Sequence, residues 1–187
     1  ISGPTPLHFF TKPTPRTGGG LCLAACTFPF LGRLPPTLAP PEGEDEWGRT
    51  LVAKLMGAPP YIIIDNVPTG RVLKSAALAN AITTDTFEGR GMSTSRILAP
   101  LVRCAWGATG NNPTLSDELK ERTLPVRLDA GCEHPGRRTD FRHPKLTKWL
   151  CENHSSLVWA VLTLIQHWIA VGRPLSVRPM GGFESFA

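Results

Sequence analysis

The segment Tyr61-Ile62-Ile63-Ile64 constrains the fold more than any other part of the chain. Four consecutive aromatic or β-branched residues that run into Asp65-Asn66 are typical of a strand covered on both faces. Strands of this kind occur in parallel sheets, because the crossover connections place helices on both sides. We therefore expect an α/β domain with three layers, in which helices flank a mostly parallel central sheet and the C-terminal end is helical.

A glycine run, Thr17-Gly18-Gly19-Gly20, leads into the apolar segment Leu21–Cys26, which can start a helix. Residues 1–20 are rich in Pro and Gly and give no clear bounds for a preceding strand. Strand, glycine loop, helix and a second strand ending in Asp65 form the layout of a phosphate-binding site, since ligands bind at the carboxyl ends of parallel strands. Taken alone, the glycine run would be read as a flexible turn.

Further segments complete the predicted α/β pattern. Helices are predicted over Trp47–Met56, Leu73–Ile82, Leu146–Asn153 and Leu157–Val171, and a loop over residues 83–95. The last helix is apolar on nearly all sides, which predicts that it is buried. Strands are predicted over Leu101–Ala108 and Leu124–Leu128, the second at a sheet edge because Pro125 cannot donate to a ladder.

Several polar side chains follow predicted strands and are candidates for phosphate chemistry. Asp65 would hold Mg²⁺ as a hard oxygen ligand, or it simply ends a strand and caps a turn. Asn111 and Asn112 could orient a water or contact a γ-phosphate, although Gly-Asn-Asn-Pro is also a good turn sequence. Arg122 and Arg127 are candidates for an arginine that stabilises transferred phosphate charge in a neighbouring subunit, or they are solvated arginines beside acidic neighbours.

Charge and cysteine usage bear on partners and compartment. The formal charge of +5 favours a polyanionic partner such as nucleic acid, without proving one. The five cysteines are odd in number and contain no C-x-x-C pair, which favours free thiols and a cytoplasmic location. No segment has the length of a membrane span. Zinc ligands are present as residue types (Cys132, His134, His143, Cys151 and His154), but their spacing matches none of the usual patterns.

In this order and spacing the chain resembles the P-loop, AAA+-like ATPase domains of phage- and plasmid-encoded primase-helicase replication proteins. The likeness spans nearly the whole chain, and its more specific parts are the Asp-Asn pair and the Ala-Thr-Gly-Asn-Asn-Pro segment. The motifs that carry it are Lys12-Pro-Thr-Pro-Arg-Thr-Gly-Gly-Gly-Leu21, Ile62-Ile-Ile-Asp-Asn-Val-Pro68, Ala108-Thr-Gly-Asn-Asn-Pro113, Glu121-Arg-Thr-Leu-Pro-Val-Arg-Leu-Asp129, Asp140-Phe-Arg-His-Pro144, Leu157-Val-Trp-Ala160, Gly172-Arg-Pro174 and the C-terminal Gly181-Gly-Phe-Glu-Ser-Phe.

The resemblance implies a P-loop NTPase-like fold that binds ATP and Mg²⁺. It implies a phosphate-binding Walker A loop at Thr17, Gly18, Gly19, Gly20 and Leu21, with Asp65 as the Mg²⁺ ligand. It also implies a sensor at Asn111 and an arginine finger at Arg122, and it places Asn66 where many ATPases carry a catalytic glutamate.

The loop departs from the family pattern at two positions. Gly19 replaces the usual lysine, and Arg16 stands where a glycine is usual. The resemblance implies that the chain is the ATP-binding motor of a mobile-element DNA replication helicase, with a degenerate Walker A loop. We expect such a motor to act as a homo-oligomeric ring on single-stranded DNA. The alternative is an ATPase-like module that does not hydrolyse ATP and instead binds nucleic acid or partner subunits.

The domain organisation expected is one unit over residues 1–187, which is interpreted as a fragment of a longer protein. Residues 1–150 would form the nucleotide-binding α/β core, and residues 151–187 a C-terminal helical segment.

Overall fold

In the computed structural model, the described residues are 3–91, 96–174, 180 and 183. The elements alternate between strands and helices in the way expected of an α/β protein. The strands are β1 (Leu7–Lys12), β2 (Thr37–Leu38), β3 (Tyr61–Val67), β4 (Val72–Leu73), β5 (Gly89–Arg90), β6 (Ile97–Leu98), β7 (Ala105–Asn111), β8 (Thr114–Leu115) and β9 (Thr123–Arg127). The helices are α1 (Gly19–Leu31), α2 (Glu44–Met56), α3 (Ala76–Thr83), α4 (Asp117–Lys120), α5 (Leu146–Glu152) and α6 (His154–Ala170), with a 3₁₀ turn at Pro135–Arg137.

Five strands form one parallel sheet in the order β2-β3-β7-β1-β9. The chain passes from β1 through α1 to the far edge at β2, returns through β3 and β7, and ends on the other side of β1 at β9. Because the strands run in parallel, the carboxyl ends of β1, β3 and β7 lie at one edge of the sheet, which we call the carboxyl edge. The opposite edge, where their amino ends lie, is the amino edge. The mostly parallel sheet flanked by helices is confirmed, and the fold is of the P-loop NTPase type.

Different helices pack on the two faces of the sheet. The main core contains Ile62 and Ile64 from β3 together with apolar residues of α2 and α3. A smaller cluster on the opposite face joins Phe10 and Ile63 to Leu23 of α1. The side chains of a strand alternate between the faces, so this division tells which residues of each strand share the face of α1.

Several predicted element bounds are wrong. The first strand, β1, lies within the Pro- and Gly-rich segment for which the sequence predicts no bounds. Strand β7 starts at Ala105 instead of Leu101 and continues to Asn111, through residues that the sequence predicts as a polar turn. Gly110 explains why the extension is missed: a Cβ there would lie 3.2 Å from Val67 Cβ of β3, so close packing requires a residue of low strand propensity.

Other bounds shift by a few residues. Helix α2 begins at Glu44, so the acidic residues form its first turn. Helix α3 begins at Ala76, where Ser75 caps it by accepting the Leu78 N–H at 3.0 Å. The predicted loop 83–95 contains β5, which pairs with β6, while its residues 92–95 lie outside the described part. The edge position of β9 is confirmed.

Helix α6 contradicts the prediction that it is buried. Its first turn packs on α1, where His154 meets the ring of Phe28 edge-on at 5.6 Å. None of its residues is buried, and the side chains of Trp159 and Leu164 are 70% and 69% exposed. An apolar pattern indicates that burial of a helix would be favourable, but it does not determine whether another element packs against that helix. Among the described helices, none combines the length and apolar character needed to cross a membrane.

Candidate nucleotide site

Four polar side chains of the central strands lie at the carboxyl edge on the face that α1 covers. In β1 the pairing places Lys12 opposite Asn111 and Phe10 opposite Thr109 of β7. Phe10 belongs to the cluster with α1, so Lys12, two residues on, shares that face. Trp106 and Ala108 point into the opposite core, which leaves Thr109 and Asn111 on the α1 side. Asp65 follows Ile63 in β3 in the same way.

The glycine run forms the N-terminus of α1, directly after the loop that leaves β1. Gly18 is the N-cap in the left-handed region at φ 91°, a conformation that glycine adopts without steric cost. It provides no side-chain cap, and the first turn of α1 contains no acidic residue. The N–H groups at the start of the helix are therefore free to bind an anion, and the helix dipole favours negative charge there.

Asp65 lies next to this helix end. A Cβ at Gly20 would be 3.7 Å from Asp65 Oδ1, so the carboxylate faces the first turn of α1. Asp65 and Asn66 lie inside β3, where the register shifts between Ile64 and Val67. Asn66 itself is exposed and adopts a positive φ of 61°. The strand irregularity thus occurs at the two residues that the sequence predicts for metal binding and catalysis.

Thr109 is a site residue that the sequence analysis misses. Its hydroxyl donates to Asp65 Oδ1 at 2.5 Å and accepts the backbone N–H of Asn66 at 3.0 Å. The residue is only 1% exposed, so this hydroxyl is held between the two groups. Alternation along β7 could have placed Thr109 beside Asn111, but only once the strand is known to continue to Asn111.

The two asparagines after Gly110 have different surroundings. Asn111 Oδ1 is buried and has no hydrogen-bond partner among the described residues. Because this oxygen only accepts hydrogen bonds, it suits a bound water better than a phosphate oxygen. Asn112 instead closes the end of β1: its N–H donates to Lys12 O at 3.0 Å and its Nδ2 donates to Pro13 O at 3.1 Å. Asn112 therefore has the turn role that the sequence left open.

Arg122 does not lie with the other predicted site residues. Its carbonyl accepts the N–H of Leu7, the first residue of β1, so it is at the opposite edge of the sheet. The length of β1 alone separates it from the glycine loop by roughly 17 Å. Its guanidinium donates to the Glu118 carbonyl at 2.8 Å and lies 3.5 Å from the Glu118 carboxylate. Within one chain, Arg122 cannot contact a nucleotide at the glycine loop.

Arg16 adopts a positive φ of 62°, where a glycine would be unstrained. A Cβ at Gly136 would lie 2.7 Å from Arg16 Cδ, so the arginine side chain runs along the 3₁₀ turn. The absence of a side chain at residue 136 leaves the space that the arginine needs.

Two cavities differ in their suitability for a nucleotide. One of about 230 Å³ adjoins Gly20 and Asp65 at the carboxyl edge. A larger one of about 500 Å³ is lined by apolar groups, including Phe10, Leu23 and Tyr61, and by Cys26. It lies beside the amino ends of β1, β3 and β7, and its apolar walls do not suit a phosphate. Burial raises the pKa of Tyr61 to about 12, which keeps its hydroxyl neutral.

A zinc centre receives no support from the described part of the chain. No three His, Cys, Asp or Glu side chains there lie close enough to hold a metal ion. The proposed ligands Cys132, His143 and Cys151 are therefore not assembled, and His143 stacks on Trp149 at 4.2 Å. A Mg²⁺ ion needs fewer protein ligands, because nucleotide phosphates and waters complete its coordination. The single carboxylate of Asp65 beside an uncapped helix N-terminus fits that arrangement.

Comparison with known proteins supports the fold. No model of a known protein family matches the chain, and no curated protein matches it. The A form apo structure of the NrS-1 C-terminal region is similar with a TM-score of 0.53 and 11% identity, over 81% of this chain and 35% of that one. A structure of JCV helicase with a bound small molecule matches with a TM-score of 0.45 and 12% identity, over 97% of this chain and 48% of that one. The chain thus spans a third to a half of these structures, and the likeness to the NrS-1 region concerns the fold.

Proposed function

We propose that the chain binds Mg²⁺-ATP at the start of α1 and is the motor core of a DNA replication helicase of the primase-helicase type. The observation that carries the proposal is the approach of Asp65 to the uncapped N-terminus of α1, at 3.7 Å from the Cβ position of Gly20. A helix N-terminus after a parallel strand is suited to bind phosphate, and a carboxylate at the carboxyl end of another strand of the same sheet is suited to bind the accompanying cation.

Each residue at the carboxyl edge has a role that its position supports. The N–H groups of residues 18–21 would hold the phosphates, and Asp65 would hold Mg²⁺. The metal neutralises charge on the phosphates when it is bound. Thr109 fixes the carboxylate through its hydroxyl, which makes it a positioning residue. Asn111 Oδ1, an unpaired acceptor among the described residues, would orient a water.

The position of Arg122 supports an oligomer. An arginine at the edge opposite the glycine loop serves catalysis only if it reaches the nucleotide of a neighbouring subunit, as arginine fingers supplied in trans do. We infer a homo-oligomeric ring in which Arg122 exchanges Glu118 for phosphate. The charge of +5 supports single-stranded DNA as the partner, the five free cysteines support a cytoplasmic location, and the family resemblance supports a mobile-element origin.

The second candidate is a module that binds nucleotide or nucleic acid without hydrolysing ATP. Gly19 and Asn66 favour it, because the loop lacks its usual lysine and β3 lacks a carboxylate general base after Asp65. The two candidates share the nucleotide site and differ in turnover, so one set of measurements separates them.

The experiment measures Mg²⁺-ATP binding by calorimetry and ATP turnover with and without single-stranded DNA. Asp65→Asn is expected to weaken Mg²⁺-dependent binding at least tenfold, whereas Asp117→Asn, which changes an exposed aspartate of α4 that pairs with Lys120, is expected to leave it unchanged. Binding without turnover supports the second candidate. Failure of the chain and all its variants to bind nucleotide refutes the motor function and the nucleotide site that the two candidates share.

The ring and its finger have a separate test. Arg122→Ala and Asp65→Asn subunits are each expected to be inactive alone. A mixture regains part of the turnover if the arginine acts on a neighbour, since some interfaces then combine an intact Asp65 with an intact Arg122. Mixed subunits that oligomerise but stay inactive would contradict the assignment of Arg122.

A further inference from the structure

The glycine that replaces the usual lysine of the phosphate loop has a lysine beside it. A Cβ at Gly19 would lie 3.4 Å from Lys12 Cδ, 3.7 Å from Cε and 3.7 Å from Nζ. The side chain of Lys12 therefore lies against the backbone where a lysine at position 19 would begin. Gly19 is buried, and Lys12 is half-buried over it. A Cβ at position 19 would be in van der Waals contact with Lys12, and a longer side chain there would extend alongside the Lys12 side chain.

The backbone holds Lys12 in this position. Lys12 is the last residue of β1, and its carbonyl accepts the N–H of Asn112. The preceding residue is fixed from the other side, where Thr11 O accepts the N–H of Leu128 at 2.8 Å. Strand alternation directs the Lys12 side chain to the face of α1. The ammonium is thus presented to the helix end by a central strand of the sheet, and its location does not depend on a flexible loop.

The electrostatics of this arrangement point to an anion. The N-terminus of α1 carries the positive end of the helix dipole, so an ammonium beside it experiences repulsion. Within the described residues, Lys12 Nζ has no ion pair or hydrogen bond that offsets this repulsion. A phosphate bound by the helix N–H groups would turn both positive charges into favourable partners. The other nearby cation, Arg16, has its stem against Gly136, whereas the stem and ammonium of Lys12 lie directly against Gly19.

We propose that Lys12 supplies the phosphate-binding cation that the glycine loop lacks. The proposal rests on the proposed function, since it concerns the same nucleotide site. It changes the meaning of Gly19: the glycine leaves room for a lysine that comes from the preceding strand. The charge of the site is then retained, at a position seven residues earlier in the sequence.

The test is a double-mutant cycle on Lys12 and Gly19, with Mg²⁺-ATP affinity of the full 187-residue chain as the readout. Lys12→Met is expected to weaken binding about tenfold to a hundredfold, as for the loss of a charge-assisted contact. Lys54→Met is the matched control, because this lysine lies in the last turn of α2, near the amino edge. Circular dichroism checks that each variant is folded, and Lys12→Arg, which keeps the charge, is expected to retain most of the affinity.

Gly19→Lys gives the second arm of the cycle. In the unchanged chain this substitution is expected to alter affinity less than about threefold, because the site already contains one ammonium and a second one repels it. In the Lys12→Met background the same substitution is expected to restore at least about tenfold of the affinity, as for the gain of a charge-assisted contact. This difference between backgrounds is the coupling that the proposal predicts.

The results separate the role of Lys12 from the nucleotide site itself. If the chain binds Mg²⁺-ATP and Lys12→Met leaves the affinity unchanged, the role of Lys12 is refuted and the proposed function stands. Equal gains in affinity from Gly19→Lys in both backgrounds would also refute the role of Lys12. They would show that the site of the unchanged chain lacks a cation even when Lys12 is present. If neither the chain nor any variant binds nucleotide, including the variants that carry Gly19→Lys, the proposed function is refuted together with the role of Lys12.

Discussion

Replacing Thr109 with valine removes one hydroxyl from the centre of the site and keeps the shape of the side chain. The hydroxyl donates to Asp65 Oδ1 and accepts the N–H of Asn66, so the substitution leaves two polar groups without a partner. An unsatisfied, partly buried polar group costs about 1–3 kcal/mol. Asp65 is only half-buried and water can replace one of the two bonds, so we expect a loss of about 1–2 kcal/mol.

Thermal unfolding measures this loss. In a chain of this size, 1 kcal/mol corresponds to roughly 2–4 °C, so Thr109→Val is expected to lower Tm by roughly 2–8 °C. Thr27→Val is the matched control: Thr27 is also buried, but its hydroxyl donates only to carbonyls of its own helix, Leu23 O and Ala24 O. Those carbonyls keep their place in the helix, so little change is expected.

The same variant tests the coupling to the metal. Thr109→Val is expected to weaken Mg²⁺-dependent ATP binding, because Asp65 loses the hydrogen bond that orients it, while metal-free nucleotide binding changes less. The reasoning would be refuted if Thr109→Val had the Tm and the Mg²⁺ dependence of the unchanged chain. It would also be refuted if Thr27→Val destabilised the chain equally.

Three further predictions concern other parts of the molecule. Gly107→Ala is expected to destabilise the fold by about 1–3 kcal/mol, because the added Cβ would meet a tyrosine ring at 2.9 Å. Gly48→Ala is the matched control: it has open space in α2 and is expected to stabilise the fold by about 1 kcal/mol. Urea unfolding measures both changes. The Cys22 thiol hydrogen-bonds Cys26 and lowers the pKa of Cys26 to about 6, so Cys26 is expected to react with iodoacetamide at pH 7 and to slow as the pH falls below about 6. Cys22→Ala should raise that pKa toward 9.0 and slow labelling at pH 7 by roughly three- to sixfold, because the more basic thiolate is scarcer but also more nucleophilic, as mass spectrometry would measure. Trp159→Glu is expected to leave Tm nearly unchanged, because the side chain is 70% exposed, and a large fall in Tm would show that α6 is packed.

The sequence predicts the centre of the fold better than its margins. The run from Tyr61 to Ile64 identifies β3 correctly, because a strand buried on both faces leaves an unmistakable apolar pattern. Strand β7 is harder to bound, since Gly107 and Gly110 are required for close packing and carry little strand propensity. For α6, the apolar pattern identifies the helix, but its burial depends on neighbours that a local pattern does not contain.

The predicted site divides in the same way. Asp65, Asn111 and the residues of the glycine run do meet at one edge, since the rule for parallel strands applies without knowledge of the side-chain contacts. Thr109 is missed because its role follows from strand alternation beyond the predicted end of β7. The place of Lys12 over Gly19 depends on a contact across the six residues of the intervening loop, which spacing alone does not reveal.

The exposed apolar surface of α6 and the carboxyl edge of the sheet are expected to respond differently to ionic strength. From His154 to Ala170 it contains no Asp, Glu, Lys or Arg, although its surface is exposed. Contacts made by such a surface do not weaken when salt screens charges, and salts that are excluded from proteins strengthen them. The phosphate binding proposed for the carboxyl edge would depend on charge and is expected to weaken as salt rises. A salt titration is therefore expected to dissociate nucleotide from the carboxyl edge, whereas a contact made by the apolar surface of α6 would persist.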